Sequence, residues 1–419
     1  MKNKPPISSW QEYSFSEIAK KDKFAIVDGP FGTQLHSDEY TETGIPLVRI
    51  ENLSYSGKFS PENLVFISEK KAKQLNRSRV VPDDLIIAKT GATIGKSGMF
   101  PNMVNNGIIA SSCMKVSCDP NKVDPKLILY MIVWENGQKK ILEGAGGSTR
   151  TSINIGPFSD IRLLIPESIS EQRKIAEILT TVDDAIEQTE ALIRKYQRIK
   201  HGVFSDFLEN SGQKWPYEKL SSFYSEPSRN GLYKSPSYYG DGYKMIHMPQ
   251  MFGTDVVDPT NAAKVNLTIQ ELRTFRLQED DLLFARRSLN FEGAGKCSLV
   301  ANLQEEVVFE SSIIRVRLRR NLIRPRFINL FLNSDYGMRM KSIFIRQVAV
   351  SGVSSEDVGN YLVPHPSILE QDRINNIMSC IEQNINLTIR CKEKLDKIRQ
   401  GLMQDLLTGK VRVDALLKN

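Results

Sequence analysis

The chain has 419 residues, 40% of them hydrophobic and 25% charged, with a formal net charge of +7 at pH 7. That is the make-up of a folded protein with room for about two or three cores, and it excludes a disordered or fibrous chain. No apolar run approaches the roughly eighteen residues of a membrane span, and the opening MKNKPPISSW lacks the apolar stretch of a secretory signal.

Residues 1–165 are expected to form a first globular region, entered through a polar arm that ends at Trp10. Short β-rich runs at 45–50, 64–67, 85–88, 108–116 and 161–165 alternate with Gly- and Asn-rich loops. Helices are expected over 68–76 and 125–142, where Pro125 suits a first-turn position. Residues 166–210 hold a long central helix. Its apolar stripe runs Ile175, Ile178, Val182, Ile186, Ile193, Tyr196, Val203 and Phe207, with charges between, the period of a coiled-coil seam. Ser170 is the expected cap, and Asn210-Ser211-Gly212 the stop. The stretch 171–208 would be roughly 57 Å long, too thinly apolar for a core helix, so it needs a partner of similar length.

Residues 211–365 form a second globular region, opening at Trp215-Pro216. Residues 366–419 supply the partner: a C-terminal long helix and tail. Its stripe is Ile374, Met378, Ile381, Ile385, Leu395, Ile398, Leu402 and Leu406, and LLTGKVRV (406–413) closes it. Both helices begin Glu-Gln (Glu171-Gln172, Glu370-Gln371) after a Pro-containing apolar run. The globular regions match as well. GIPLVRI (44–50) corresponds to GYKMIHM (242–248), and DDLIIAK (83–89) to DDLLFAR (280–286). An internal repeat of about half the chain follows, with matching framework and differing loops. The expected class is α+β: two mixed α/β domains in tandem repeat, joined by two long helices packed as an antiparallel coiled coil.

Catalytic chemistry is not legible. Gly91 to Ser97 (GATIGKS) is one residue short of a phosphate-binding loop, and the second copy has no equivalent. Pro82-Asp83-Asp84 followed by Lys89 lacks the spacing of a metal nuclease and reads as a turn. No Asn/Asp-Pro-Pro-aromatic motif and no G-x-S-x-G is present, and His36, His201, His247 and His365 are scattered. Cys113, Cys118, Cys297, Cys380 and Cys391 form no C-x-x-C pair, so free thiols in a reducing, cytoplasmic setting are expected, not a disulfide framework or a zinc site.

The polar loops and basic segments carry more. The positive balance is compatible with nucleic acid. Between Ser312 and Arg346, the arginines 315, 317, 319, 320, 324, 326, 339 and 346 and Lys341 accumulate. Arg315, Arg317 and Arg319 alternate and so share one face, a candidate for tracking phosphates. Donors able to read base edges fall at corresponding loop positions. In the first copy they are Gly32, Thr33, Gln34, Arg49, Asn52, Lys89, Thr90, Thr93, Lys96, Ser111, Ser112, Ser148, Thr149 and Arg150. In the second they are Arg229, Asn230, His247, Gln250, Arg286, Arg287, Ser288, Asn290, Ser311, Ser312, Ser351 and Ser354.

Taken together, PESISEQRKIAEIL (166–179), its echo at 364–374, LLTGKVRV (406–413) and GIPLVRIENL (44–53) resemble the specificity subunits of type I restriction–modification systems. The resemblance implies that each globular region is a target-recognition domain reading one half of a split, asymmetric DNA site in the major groove. It implies that the helices form a spacer on which two methyltransferase subunits dock. Those partners would methylate adenine with S-adenosylmethionine, and two restriction subunits would use ATP and Mg. No catalytic, metal or cofactor site is then expected in this chain. Asp372, where a basic residue follows Glu-Gln in the family, and Asn375, Asn376, Asn384 and Asn386 depart from the pattern in the second helix. The rival readings are a coiled-coil protein-binding adaptor with no DNA role, and an enzyme built on the near-miss motifs.

Overall fold

The computed structural model describes residues 9–31, 33–145, 151–209, 215–252, 255–289, 291–346, 351–413 and 416. By internal contacts the chain divides into two units. One comprises residues 1–190 and 390–419, the other 191–389. Each long helix is therefore shared between them.

The first unit is entered through Trp10–Ser14, which pairs antiparallel with Arg162–Pro166. Its central sheet has the order Ile26–Asp28, Cys113–Val116, Leu85–Ala88, Ser97–Met99, antiparallel throughout. Both faces of this sheet are covered, which explains the unbroken apolar run LIIA. Leu85 and Ile87 join the core under the helix Pro125–Val133, while Ile86 and Ala88 face a second cluster with Val48, Phe100 and Ile109. A five-stranded sheet adds the parallel pair Ile45–Val48 and Gly107–Ile109. The expected helix over 125–142 is two helices, Pro125–Val133 and Glu135–Glu143, because Trp134 leaves the helical region (φ −66, ψ 149). Gly137 permits the tight return: a Cβ there would lie 1.8 Å from the Met131 carbonyl oxygen.

The second unit repeats the plan. Tyr217–Lys219 pairs antiparallel with Leu362–Pro364. The central sheet runs Arg229–Asn230, Ile313–Val316, Leu282–Ala285, Cys297–Leu299. Leu282 and Phe284 enter one core and Leu283 and Ala285 another. A parallel pair, Tyr239–Ile246 with Val307–Phe309, again flanks it. The acidic doublets are turns in both units. Asp83 and Asp280 take left-handed conformations (φ 68 and 70). The next carboxylate closes the turn: Asp84 Oδ2 accepts from Val81 N at 3.0 Å, and Asp281 Oδ2 from Gln278 N at 2.8 Å.

The long helices span Ile169–Glu209 and Ile368–Leu406. Ser170 does not cap the first. The helix starts earlier, and Ser168 Oγ accepts the Glu171 N–H at 3.3 Å, as Ser367 Oγ does for Glu370. The glutamine of each Glu-Gln is buried and ties helix to domain. Gln172 Oε1 accepts from Asp124 N at 2.8 Å, and its Nε2 donates to Pro166 O at 2.7 Å. Gln371 makes the same two bonds, to Arg324 N at 2.7 Å and Pro366 O at 2.8 Å. Glu171 is buried too and receives a two-pronged pair from Arg412 (2.7 and 3.0 Å), so the closing LLTGKVRV folds back onto the helix start. Asp372, the departure in the second helix, makes a bidentate pair with Arg324 (2.7 and 2.8 Å) and serves as a further tie.

The two helices pack together, antiparallel within each unit. In the first, Asp183 meets Arg399 at 2.5 Å and Glu190 meets Lys392 at 3.4 Å, one number rising as the other falls. In the second, Lys200 meets Glu382 at 2.9 Å, and Phe204 shares a core with Ile374 and Met378. Burial is complete only where the stripes also touch a domain, as at Ile175 and Leu406. Val182, Ile186, Ile193 and Tyr196 are half-buried. Ile398, expected in the seam, is 50% exposed; the next residue, Arg399, is the half-buried one and pairs with Asp183 on the other helix.

Candidate nucleic-acid interface

One end of the first unit's central sheet gathers residues that are distant in sequence. Gly29 N donates to Cys113 O (3.0 Å), Lys89 N to Ser112 O (2.9 Å), Gly91 N to Thr151 O (2.9 Å) and Ile153 N to Lys89 O (3.0 Å). Arg49 follows the parallel neighbour strand, whose Val48 carbonyl takes the Ala110 N–H at 2.8 Å. The structure thus brings Arg49, Lys89, Thr90, Ser111 and Ser112 to one edge. Gly29 is needed at the crossing, since a Cβ there would sit 1.9 Å from Ala110 O.

The second unit builds the same edge with the same backbone bonds. Gly231 N donates to Ile313 O (3.0 Å), Arg286 N to Ser312 O (2.8 Å), Val353 N to Arg286 O (3.0 Å) and Glu310 N to Ile246 O (3.0 Å). Asn230, Arg286, Arg287, Ser288, Ser311, Ser312 and His247 lie there, and Arg287–Ser288 pairs with Ser351–Gly352. The side chains differ at matched places: Lys89 against Arg286, Arg49 against His247, and Asp28 against Asn230.

Several of the sequence-selected residues are occupied within the fold. Asn52 is fully buried; its Oδ1 takes Arg49 N (2.8 Å) and its Nδ2 gives to Ser60 O (2.9 Å). Gln250 closes the matching loop on His247 N at 3.0 Å. His247 itself contacts the Tyr239 hydroxyl (3.1 Å) and Met245 O (2.9 Å). Ser354 caps the helix Ser355–Gly359 through Asp357, and Ser351 is buried. Thr93 Oγ1 gives to Thr90 O at 2.9 Å. Lys89 Nζ is held by Asp28 at 2.9 Å, while Lys96 lies 5.8 Å over the Tyr55 ring. Thr33, Arg287 and Arg229 are exposed, as is Gln34, whose Oε1 takes Phe31 N at 3.2 Å. Gly32, Ser148, Thr149, Arg150 and Asn290 lie outside the described residues, as does the expected helix stop at Asn210-Ser211-Gly212.

Sequence reasoning missed Asp28. Its carboxylate faces Lys89, and its Oδ1 is buried without a hydrogen-bond partner among the described residues. The signal lies in the repeat: Asp28-Gly29 occupies the place of Asn230-Gly231.

The arginine-rich segment is not a free phosphate-tracking face. Arg315, Arg317 and Arg319 do share a side, but acceptors of the same unit cover it. Arg315 is buried and pairs with Glu226 at 3.0 Å; Arg317 pairs with Asp281 and Glu226; Arg319 donates to the Ser222 carbonyl. Arg320, Arg324 and Arg326 pair with Asp280, Asp372 and Glu382. Lys341 is buried, with Nζ 3.3 Å from Gly295 O. Arg346, 77% exposed, lies 3.6 Å from Asp357.

The near-miss motifs occupy a turn and a buried ion pair. The loop Gly91–Thr93 is a single 3-10 turn, and Ser97–Met99 after it is a strand, so no helix N-terminus faces a phosphate. Asp84 is buried against Lys115 at 3.2 Å. Burial pushes the thiols of Cys113, Cys118 and Cys297 up to about 12, which removes them as nucleophiles at neutral pH. All five cysteines are unpaired. Among the described residues no His/Cys/Asp/Glu group could hold a metal ion, and no helix is long and apolar enough to cross a membrane.

The family described as the type I restriction modification DNA specificity domain matches residues 8–195 and 230–397. The chain belongs to this family. Each matched segment covers most of one copy of the structural repeat. Among curated relatives, this specificity-family chain is 24% identical over 350 residues to the specificity subunit of the type I restriction enzyme EcoKI of Escherichia coli (strain K12), covering 79% of this chain and 74% of that one. Its fold is similar to the type I restriction–modification S subunit from M. genitalium, with a TM-score of 0.56 and 16% identity over 95% of this chain and 96% of that one. A second solved structure, from work on complex assembly and conformational transition of the type I system, gives a TM-score of 0.57 and 14% identity, covering 97% of this chain and 99% of that one.

Proposed function

We propose that this specificity subunit reads a bipartite, asymmetric DNA target, one half with each sheet-end cluster, and that its long helices set the separation of the halves. The observation that supports this reading most is the pair of matched edges: one backbone pattern, built twice, presenting different side chains. A scaffold repeated for stability alone gives no role to an edge that keeps its backbone bonds and exchanges its polar side chains. In this reading the exposed Arg287, Thr33 and Gln34 reach a groove, Arg286 follows at the loop base, and the serines at 111, 112, 311 and 312 supply short donors, while Lys89 is held by Asp28. The internally bonded Asn52, Gln250 and Ser354 shape the loops.

In this reading the chain carries no catalytic, metal or cofactor site. Methyltransferase subunits, two in the full assembly, dock on the helices, where Leu192, Ile199 and Leu387 expose apolar surface. They bring S-adenosylmethionine, and two restriction subunits bring ATP and Mg. The same exposed residues would suit a coiled-coil adaptor, but an adaptor gives no role to the paired edges. Exchanging residues 13–160 for those of another family member tests the proposal. The methylated motif should change in one half only; a change in both halves, or in neither, rejects the assignment of one half to each domain.

A further inference from the structure

The second unit contains a cleft of about 490 Å³ between its Arg229–Asn230 edge strand and the helix Ile269–Phe275. Five arginines line it: Arg229, Arg273, Arg276, Arg315 and Arg317. Among the described residues, Glu226 and Glu306 oppose them in the lining, Glu306 pairing with Arg276 at 2.8 Å. Even with Asp281, which takes Arg317 from behind at 2.7 Å, cations exceed carboxylates.

Arg315 forms the floor. Its side chain is 3% exposed and shares a single Glu226 oxygen with Arg317, at 3.0 and 2.5 Å. Its Nε is buried without a hydrogen-bond partner among the described residues. Arg229 lies opposite Arg315 in the strand pairing and rests over the Phe275 ring at 6.0 Å, with no ion pair among the described residues. Burial, with Arg317 and Arg229 beside it, pulls the Arg315 guanidinium below its ordinary value. A buried cation with an unused donor costs stability unless an anion completes it. The framework does not require this arrangement. In the first unit Lys115 stands in that place, satisfied by Asp84 and Ser117, each at 3.2 Å.

We infer that this cleft is a binding site for a phosphate group, held between Arg315 at the floor and Arg273 and Arg276 at the rim. Arginine forks match the oxygens of a phosphate in number and geometry. The phosphate has two possible sources: a free polyphosphate such as a nucleotide, or the DNA backbone beside the target. The second source rests on the proposed DNA-reading function; the first does not.

The test uses the full-length chain and an Arg273→Ala/Arg276→Ala variant, both rim residues being exposed. Calorimetry with inorganic pyrophosphate is run beside duplex-DNA affinity at several salt concentrations. If pyrophosphate binds the wild type and the variant weakens it tenfold or more, the free-ligand source holds, even should the chain fail to bind DNA. If pyrophosphate does not bind but the variant weakens DNA alike on all sequences and lowers the salt slope by about one per lost phosphate contact, the backbone source holds. Unchanged affinity for both ligands overturns the site. So does a variant whose DNA sequence preference changes, since the arginines would then be reading bases.

Discussion

At the scale of single residues, the two units solve one problem with different chemistry. The carbonyl of Gly95 accepts from Gln138 Nε2 at 2.9 Å, and that of Gly295 from the buried Lys341 Nζ at 3.3 Å. Each donor pins the loop that follows the Ala88 or Ala285 strand end. Burial lowers the Lys341 pKa from 10.5 to about 8. The unfolded chain therefore holds this proton up to about pH 10.5 while the folded chain has released it above about 8. Stability contributed by this group rises with pH across that window, by roughly 3 kcal/mol at most. Denaturant melts at pH 8 and pH 10 should show the wild type gaining on Lys341→Met; an identical pH response of the two proteins contradicts the assignment. The alternation of Arg315, Arg317 and Arg319 was legible in the sequence, but their partners were not. Asp281 and Glu226 lie 36 and 91 positions from Arg317, and only the sheet brings them together.

At the scale of elements, periodicity carried most of the information. Both long helices and the central strands follow directly from apolar spacing, because a stripe or a two-faced strand must be buried somewhere. Helix ends and breaks were less visible. Ser168 and Ser170 are equally good caps by type, and backbone geometry selected the earlier one. The break at Trp134 depends on the close approach of Gly137 to Met131, which no local pattern announces. The Glu-Gln pair was legible as a repeat, while its purpose, a buried glutamine bridging helix and domain, needed the structure. Gln172→Ala should therefore cost about 1–3 kcal/mol, because it leaves the Asp124 N–H and Pro166 carbonyl unmet. Glu177→Ala, an exposed position whose carboxylate pairs with Lys174, should change stability by less than about 0.5 kcal/mol. Equal losses in urea melts would contradict the bridging role. The loop edges were legible as two sets of polar residues at matched offsets, but not which members the fold itself consumes. Asn52 and Gln250 look the same in sequence as an exposed reader, and Asp28 was missed because a strand-end carboxylate signals nothing alone.

At the scale of the whole molecule, the central claim is that two differently furnished edges give two half-sites and that the helices fix their spacing. Inserting residues between the first long helix and the second globular region should alter the unspecified gap in the target and leave both halves intact. An insertion variant with an unchanged gap would refute the spacing role. The most direct measurement is a methylome: the chain co-expressed with its methyltransferase subunit in a methylation-free host, with N6-methyladenine mapped by long-read sequencing. The account predicts two short specific halves around a gap of fixed length. A continuous motif, or no sequence-specific methylation from an assembled complex, would contradict it.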